Sequence, residues 1–538
     1  MKLLAVVGTV AVAASSLTGQ PEKQIPDEQR TAEQPTVEYR AFDVQPLLRH
    51  AFATIEPSVR ALSEVEPEAE LPGVVGSAVT LRLGGRVIGR NWSLETGGFG
   101  LAAAAGGAIE EAVTTLSVRA PMARERLAIG YGPAITIDIE LATQLRPIGT
   151  RSYVGVSQTL APGLEGVVFD PGGDAGFAAR AEAVFPGMIR SAGLEAGTAL
   201  QGAVERSLRR PGAAGRPLAE LLDELPEARV FACSAVQIAQ VRASDEPTVL
   251  SRGGRIVEAV PDADHLRRFA EMLAAFLSSW PEGIATIDPV SGQAEAATLE
   301  QTLLHTTLGW LASRAFHATE GVDHDLWRPV ERPKDLFGAP PALAAYLRAL
   351  DGSLETDSLA ALALSTDIAG LPSLLPWLGL AALEVAPEPG SVPLAPVFIE
   401  LDDLIGRHRL LENDAGGPDR DLRGGIVFTR LSNPLPDWRT AAVAAWQGAA
   451  LRSGKIVPPG ERDAAIAARL ETLRFLEQLS VSRAETHAYA VGEDAVGGVR
   501  RALWDATLTP EASCLTLIAV CETLKSLETL EIDAVGGD

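Results

Sequence analysis

The stretch GGIVFTRLSNPLPDWRT, residues 424 to 440, begins on two glycines, crosses a dozen mixed residues, and brings a hydroxyl residue into an alanine-rich helix. GGVRRALWDATLTPEAS, from Gly497 to Ser513, has the same plan, as does EGIATIDPVSGQAEAAT, from Glu282 to Thr298. Sixteen residues separate first from last in every copy; the later two start 73 apart and the first two 142 apart, about twice that step. A worn fourth copy would fall near DGSLETDS at 351–358, ahead of LPSLLPWLGLAALE. A helix that is apolar all round cannot hide every side against one amphipathic partner, so such units must stack and close on one another. The repeat therefore predicts an all-α C-terminal region over 226–538, an α/α toroid with apolar helices inside and amphipathic helices outside. DADHLRRFAEMLAAFLSSW supplies one outer helix, with Leu266, Phe269, Leu273, Phe276 and Trp280 on one face. RDAAIAARLETLRFLEQLS supplies another through Ile466, Leu470, Leu473, Leu476 and Leu479, and each should keep one wet face.

Ahead of that region the pattern mixes periods. VGSAVTLRL and RVIGRNWSL flank Gly84-Gly85, a two-residue turn that tolerates positive φ, and read as a β-hairpin. AITIDIEL alternates, with Ile135, Ile137, Ile139 and Leu141 on one face and Thr136, Asp138 and Glu140 on the other, which predicts a half-buried strand. Helical runs near 46–64, 99–116, 175–193 and 196–208 complete an α+β domain expected over 46–225.

Charge removes some functions. A formal net charge of −24 with a pI near 4.8 argues against nucleic acid, which needs a basic face, and against docking on anionic lipid. The first residues, MKLLAVVGTVAVAASSLTGQ, carry one lysine, an apolar stretch too short for a confident membrane span, and small residues with AVA at 11–13. This predicts a signal peptide over 1–19, a flexible acidic linker over 20–45, and a soluble protein exported to a bacterial periplasm or beyond. A lipid anchor would need a cysteine where Gln20 stands. The three cysteines, Cys233, Cys514 and Cys521, read as core thiols.

Residues 46–225 resemble the AMMECR1 domain family. The resemblance runs through LLRHAFATIEPSV, SAVTLRLGGRVIGRNWSL, GLAAAAGGAIEEAVTT, AITIDIEL and GLEGVVFDPGGDAG. Where that family carries an Arg-Gly-Cys-Ile-Gly-Ser/Thr-Leu run, this chain reads Ile88-Gly89-Arg90-Asn91-Trp92-Ser93-Leu94, so Arg90 takes the cysteine's place. The resemblance implies a fold and no defined activity, and arginine cannot serve as a nucleophile. The C-terminal region is similar to the toroids of squalene cyclases, prenyltransferase β-subunits and six-hairpin glycan enzymes, with DGSL at 351–354 resembling the end of a cyclase repeat.

Chemistry-bearing residues are sparse. A glycan or isoprenoid enzyme would draw on His305, on an apolar helix, and on Glu400, Asp402 and Asp403, the nearest run to the acid motif of class II cyclases. Acids at a helix start more often serve the dipole and the cap. His317 and His324 are seven apart among acids, but loop polarity explains them better than zinc, and no metal or cofactor is expected. The leading expectation is a binding protein, its partner an unknown small molecule, glycan or protein. Thr298, Thr440 and Ser513 at the heads of the apolar helices, and Arg90 and Trp92 in the N-terminal domain, are its candidate ligand-binding residues.

Overall fold

The computed structural model describes residues 44–67, 70–119, 121–210, 212–333, 339–385, 393–414, 417–428 and 435–535. The expected signal peptide and nearly all of the expected linker lie outside them. The first half comprises α1 (Val44–Ala61), β1 (Gly76–Leu83), β2 (Arg86–Ser93), α2 (Gly97–Arg119), α3 (Arg124–Tyr131) and β3 (Thr136–Pro147). It continues with α4 (Tyr153–Thr159), β4 (Glu165–Asp170), α5 (Phe177–Arg180), β5 (Glu182–Val184), α6 (Pro186–Ser191), α7 (Ala196–Leu208), α8 (Leu218–Glu224), β6 (Arg229–Gln240) and β7 (Thr248–Leu250). The strands form one antiparallel sheet in the order β2-β1-β3-β6-β4-β5, with β7 on β6. This is an α+β architecture. The hairpin turns at Gly84 and Gly85, with φ of +56° and +74°, as two residues of positive φ require.

One sheet face is apolar: Val79, Leu81, Ile137, Ile139, Leu141 and Ile238 pack under α1 and α2. α2 is rich in alanine and glycine, so its backbone comes close to the sheet. A Cβ on Gly89 would stand 2.0 Å from the Ala108 carbonyl oxygen, which explains the glycine in the IGRNW stretch. The other face departs from expectation. Thr136, Asp138 and Glu140 are only 4%, 8% and 4% exposed, so β3 is buried on both faces. Alternation marks a strand with two unlike faces; it does not say that the polar one is wet. The run at 175–193 is not one helix either. Pro186 stops a helix from passing through, and residues 182–184 pair with β4 instead, splitting the segment into α5, β5 and α6. The sheet also continues past residue 225, because β6 sits at its centre between β3 and β4.

The second half is mostly helical: α9 (Ala263–Ser279), α10 (Leu299–His317), α11 (Pro341–Leu350), α12 (Thr356–Leu364), α13 (Trp377–Glu384), α14 (Ala395–Arg407), α15 (Thr440–Ala450), α16 (Arg462–Leu479) and α17 (Pro510–Val535). A small sheet, β10-β11-β8-β9, joins β8 (Ile284–Asp288) and β9 (Gln293–Ala296) to β10 (Arg500–Ala502) and β11 (Asp505–Leu508). α9 follows its pattern, burying Leu266, Phe269, Leu273 and Phe276 behind an Asp262 cap. α16 does not keep a wet face beyond its first two turns. Arg469, Thr472, Arg474 and Gln478 are buried together with its apolar residues. Their polar ends hold the chain that enters the helical half: Gln478 Oε1 accepts from Val257 N–H (2.6 Å), Gln478 Nε2 donates to Arg255 O (2.8 Å), and Arg474 Nη1 donates to Val257 O (2.5 Å).

Two copies of the repeat share one hydrogen-bond register. Gly424 N–H donates to Leu410 O and Gly497 N–H to Val481 O, and Ile426 and Val499 form matching bridges to Arg409 and Ser480. Ile426 N–H donates to Thr440 Oγ1 (3.2 Å) just as Val499 N–H donates to Ser513 Oγ (3.1 Å). Both leading glycines have left-handed φ, +83° and +86°, and lie against a helix of another unit: a Cβ would meet the Glu471 carbonyl oxygen on α16 or that of Met272 on α9. The copy at 282 runs differently. Its connection is the β8–β9 hairpin, and Thr298 caps α10 by accepting from Gln301 N–H. The residue that does the same for α17 is Thr509, which accepts from Ala512 N–H after the β10–β11 hairpin. Thr298 therefore corresponds to Thr509, not to Ser513. The segment at 351–358 makes a tight turn with Ser353 N–H on Arg348 O and shares no such register.

A seam joins the sheet to the helices. β7 ends in a reversal, Ser251 to Gly254, in which Arg252 adopts φ of +46° and Gly253 +75°. The Arg252 guanidinium, 1% exposed, pairs with Asp421, 0% exposed, and with Asp419, while its Nε donates to Pro162 O (3.0 Å). Ser251 Oγ also donates to Asp421 (3.0 Å). Nearby, Arg500 donates to the carbonyls of Leu479 (3.0 Å) and Gln478 (2.6 Å), with Glu485 at 3.7 Å.

Candidate functional site

The helices enclose a pocket of about 150 Å³, the size that in a protein core accommodates one benzene-sized body. Its walls come from the last turns of α10 and α15, from α13 along its whole length, and from the middle of α11 and α17. The C-terminal ends of α10 and α15 therefore meet at one place. Apolar lining from Leu311, Ala315, Leu380 and Ile518 surrounds a stacked pair, Tyr346 and Trp377, with ring centroids 5.7 Å apart and planes 25° apart.

Arg314, Arg452, Lys525, Glu384 and Glu522 add charge to the lining. Glu522 already holds two of the cations: Arg452 Nη2 donates to one oxygen (2.6 Å) and Lys525 Nζ to the other (3.1 Å). Burial alone would raise the Glu522 pKa, but Lys525 and Arg452 outweigh it and keep this carboxyl below its ordinary value. Burial, helped by Glu522, pushes the Tyr346 phenol up to about 12. Arg314, which hydrogen-bonds the Tyr346 phenol, is the cation that Glu522 does not hold. Part of the positive charge answers the C-terminal ends of α10 and α15, where the backbone carbonyls carry partial negative charge.

A second constellation lies on the buried polar face of the sheet. Thr80 is opposite both Arg90 and Asp138 in register, and Glu140 is opposite Gln237, so these side chains share a face. Arg82 joins them from β1. From α6, Gly187 N–H donates to Glu140 Oε1 (2.7 Å) and Ser191 Oγ accepts from Arg90 Nη2 (2.8 Å). Arg90 Nε donates to Thr80 Oγ1 (3.2 Å), and Gln237 Nε2 donates to both oxygens of Asp138 (2.8 and 3.0 Å). The chain at 485–490 closes over this face: a Cβ on Gly85 would lie 1.8 Å from the Tyr489 carbonyl oxygen. Burial, then Asp138, pushes the Glu140 carboxyl up to about 7, although the Gly187 amide, Arg190 and Arg90 pull the other way.

The residues singled out in the sequence are scattered. None of His305, Glu400, Asp402 and Asp403 lines the pocket. His305 is half-buried on α10, where burial holds its pKa below the ordinary imidazole value. Glu400 and Asp403 are exposed on α14. Asp402 ties three helices together, accepting from Gln447 Nε2 on α15 (2.6 Å) and from Arg469 Nη2 on α16 (2.7 and 2.8 Å). The hydroxyls of Thr298, Thr440 and Ser513 each accept a backbone N–H, as set out above. Arg90 is the one named candidate that belongs to a constellation; Trp92 is half-buried on the same sheet face, opposite Ala78. Neither the pocket's Tyr346 and Trp377 nor Arg190 could have been picked from the sequence, since no spacing links residues on separate helices. His324 Nε2 lies 3.0 Å from Thr319 O, and among the described residues no group of three His, Cys, Asp or Glu is placed to hold a metal ion. The three cysteines are buried and free. Among the described residues no helix is long and apolar enough to cross a membrane.

No family model matches this sequence, and no curated protein does. One solved structure similar to part of it is an uncharacterized protein from Pyrococcus horikoshii. That protein is 17% identical, aligns over 38% of this chain and 94% of its own, and has a TM-score of 0.26. A superposition so loose supports no transfer of fold or function.

Proposed function

We propose that this protein binds a small ligand in the pocket among its helices, and that the ligand carries a flat apolar body and one anionic group. The observation behind this reading is the stacked Tyr346–Trp377 pair beside Arg314, a cation that Glu522 does not hold. A planar ring placed against that pair would gain burial and stacking, and a carboxylate or phosphate facing Arg314 would gain a charge-assisted hydrogen bond. The helical half is, on this proposal, an α/α toroid. The shared register of two units, and the convergence of α10, α13 and α15 on one pocket, support that reading. The sheet half is proposed to be an AMMECR1-like domain, its hairpin, β3 and α2 falling on the stretches that carry the resemblance.

Benzoate and phenyl phosphate are suitable probes, with benzyl alcohol as the uncharged control. Either anion should raise the melting temperature saturably at constant ionic strength. At a hundred times Kd the gain is about 2.7 kcal/mol. Trp377→Leu should weaken binding by about tenfold, the loss of roughly 1–1.5 kcal/mol of aromatic contact. Equal stabilisation by benzyl alcohol would remove the anionic group from the proposal, and unchanged binding in Trp377→Leu would remove the pocket.

Export is part of the same proposal, supported by the apolar, lysine-led start of the chain. N-terminal sequencing of the protein recovered from its host should find the first residues missing. An intact Met1 on the mature protein would count against export by this route.

A further inference from the structure

The charged face of the sheet carries more donors than its own acceptors use. Arg82 is 3% exposed, and its Nη1 donates to Gly85 O (3.2 Å) and Ala488 O (3.5 Å), yet its Nε has no acceptor. Arg190 Nη1 is buried without an acceptor as well. The Arg190 guanidinium crosses the seam to lie against Gly253, where a Cβ would stand 1.7 Å from its central carbon. Burial lowers the pKa of Arg82 and of Arg90, and the nearby Arg190 charge lowers both further. The carboxylates do not fill the gap. Both oxygens of Asp138 accept from Gln237, and Glu140 accepts the Gly187 amide. Three arginines stand against two acids, and Glu140 keeps its proton up to about pH 7, so this enclosure holds at least one positive charge in excess. Glu485 is opposed by Arg500, and Glu111, which accepts the Arg90 backbone N–H (2.7 Å), is exposed on α2. An uncompensated buried charge and unused buried N–H groups are both costly, so a structure that holds them is built to receive a counter-charge.

We propose that the buried donors of Arg82 and Arg190, on the polar face of the sheet, form a second binding site that takes a small anion: free phosphate or the carboxylate of a small organic acid. It is independent of the helix-lined pocket and stands on different residues. Arg90 orients the site, held by Thr80 and Ser191, while Arg82 Nε and Arg190 Nη1 supply the free donors. The anion would complete the seam between sheet and helices.

Titration calorimetry of the full chain with sodium phosphate and with sodium acetate, at constant ionic strength, tests this. One of the two anions should bind saturably at about one per chain. Arg190→Gln, which keeps a polar side chain at this half-buried position, should weaken that binding by about tenfold or more, the loss of one charge-assisted contact. Trp377→Leu should leave it unchanged. Absence of saturable binding by either anion, full binding in Arg190→Gln, or loss of binding in Trp377→Leu would each overturn the proposal. Bromide-soaked crystals give a second reading that needs no variant: an anomalous peak beside Arg82 and Arg190 is expected, and a seam without one would also overturn it.

Discussion

Asp421→Ala should lower the free energy of unfolding by roughly 3–5 kcal/mol, the loss typical when one partner of a buried ion pair is removed. The Asp421 side chain is fully buried and accepts from both Arg252 and Ser251. Its removal strands the Arg252 guanidinium at 1% exposure with a carbonyl and Asp419 as its remaining partners. Asp419 cannot substitute, because its side chain is 41% exposed and its pairing is screened by water. Asp419→Ala should accordingly cost no more than about 1 kcal/mol. The damage reaches beyond one pair, since Arg252 occupies the reversal that carries the chain from β7 toward α9. Urea denaturation distinguishes the outcomes: the midpoint should fall sharply for Asp421→Ala and slightly for Asp419→Ala. Replacing Arg252 and Asp421 together by methionine and leucine should recover much of the loss. A single Asp421→Ala variant as stable as the parent would mean that the seam is not held at this point.

Glu140→Gln should be close to neutral near pH 5 and stabilising by up to roughly 3 kcal/mol at pH 8, the free energy that corresponds to a carboxyl moved from 4.5 to about 7. Between those two values the unfolded chain gives up this proton while the folded chain keeps it. The folded state therefore binds more protons across that window, and stability falls as pH rises through it, levelling off above about 7. Glutamine keeps an oxygen for the Gly187 amide and never ionises, so the variant should lack this slope. His487 works in the opposite direction. Burial depresses its pKa, so its contribution is present above the ordinary imidazole value and is lost as pH falls. The difference between parent and variant at each pH cancels His487 and isolates Glu140. Melting curves from pH 5 to 8 with no divergence between the two proteins would show that Glu140 is ionised throughout.

Both effects arise where the sequence is hardest to read. ITIDIE looks like a strand with a wet face, and RLETLRFLEQL like a helix with one, because polar residues at regular spacing ordinarily meet water. In this fold α6 and the chain at 485–490 cover Asp138 and Glu140, and the incoming segment at 255–258 covers Arg474 and Gln478. The periodicity is correct in both places; the medium facing it is set by parts of the chain far outside the element itself, from 47 residues away for α6 to hundreds for the other segments. The candidate residues diverge for the same reason. Asp402 sits in an acidic run that resembles a catalytic motif, yet its partners, Gln447 and Arg469, reach it from other helices.

By itself the sequence determined what short-range chemistry can determine: the Gly84-Gly85 hairpin, the alternation of β3, the amphipathic α9, and a repeated glycine-to-hydroxyl unit whose last two copies make the same hydrogen bonds. Those features follow from φ preferences and from periods of two and 3.6 residues, which neighbours along the chain enforce. Tertiary structure alone decided that Thr298 matches Thr509, that the polar face of the sheet is buried, and which side chains from five helices meet around the pocket. Such meetings depend on packing between distant segments, and distance along a chain carries no information about them.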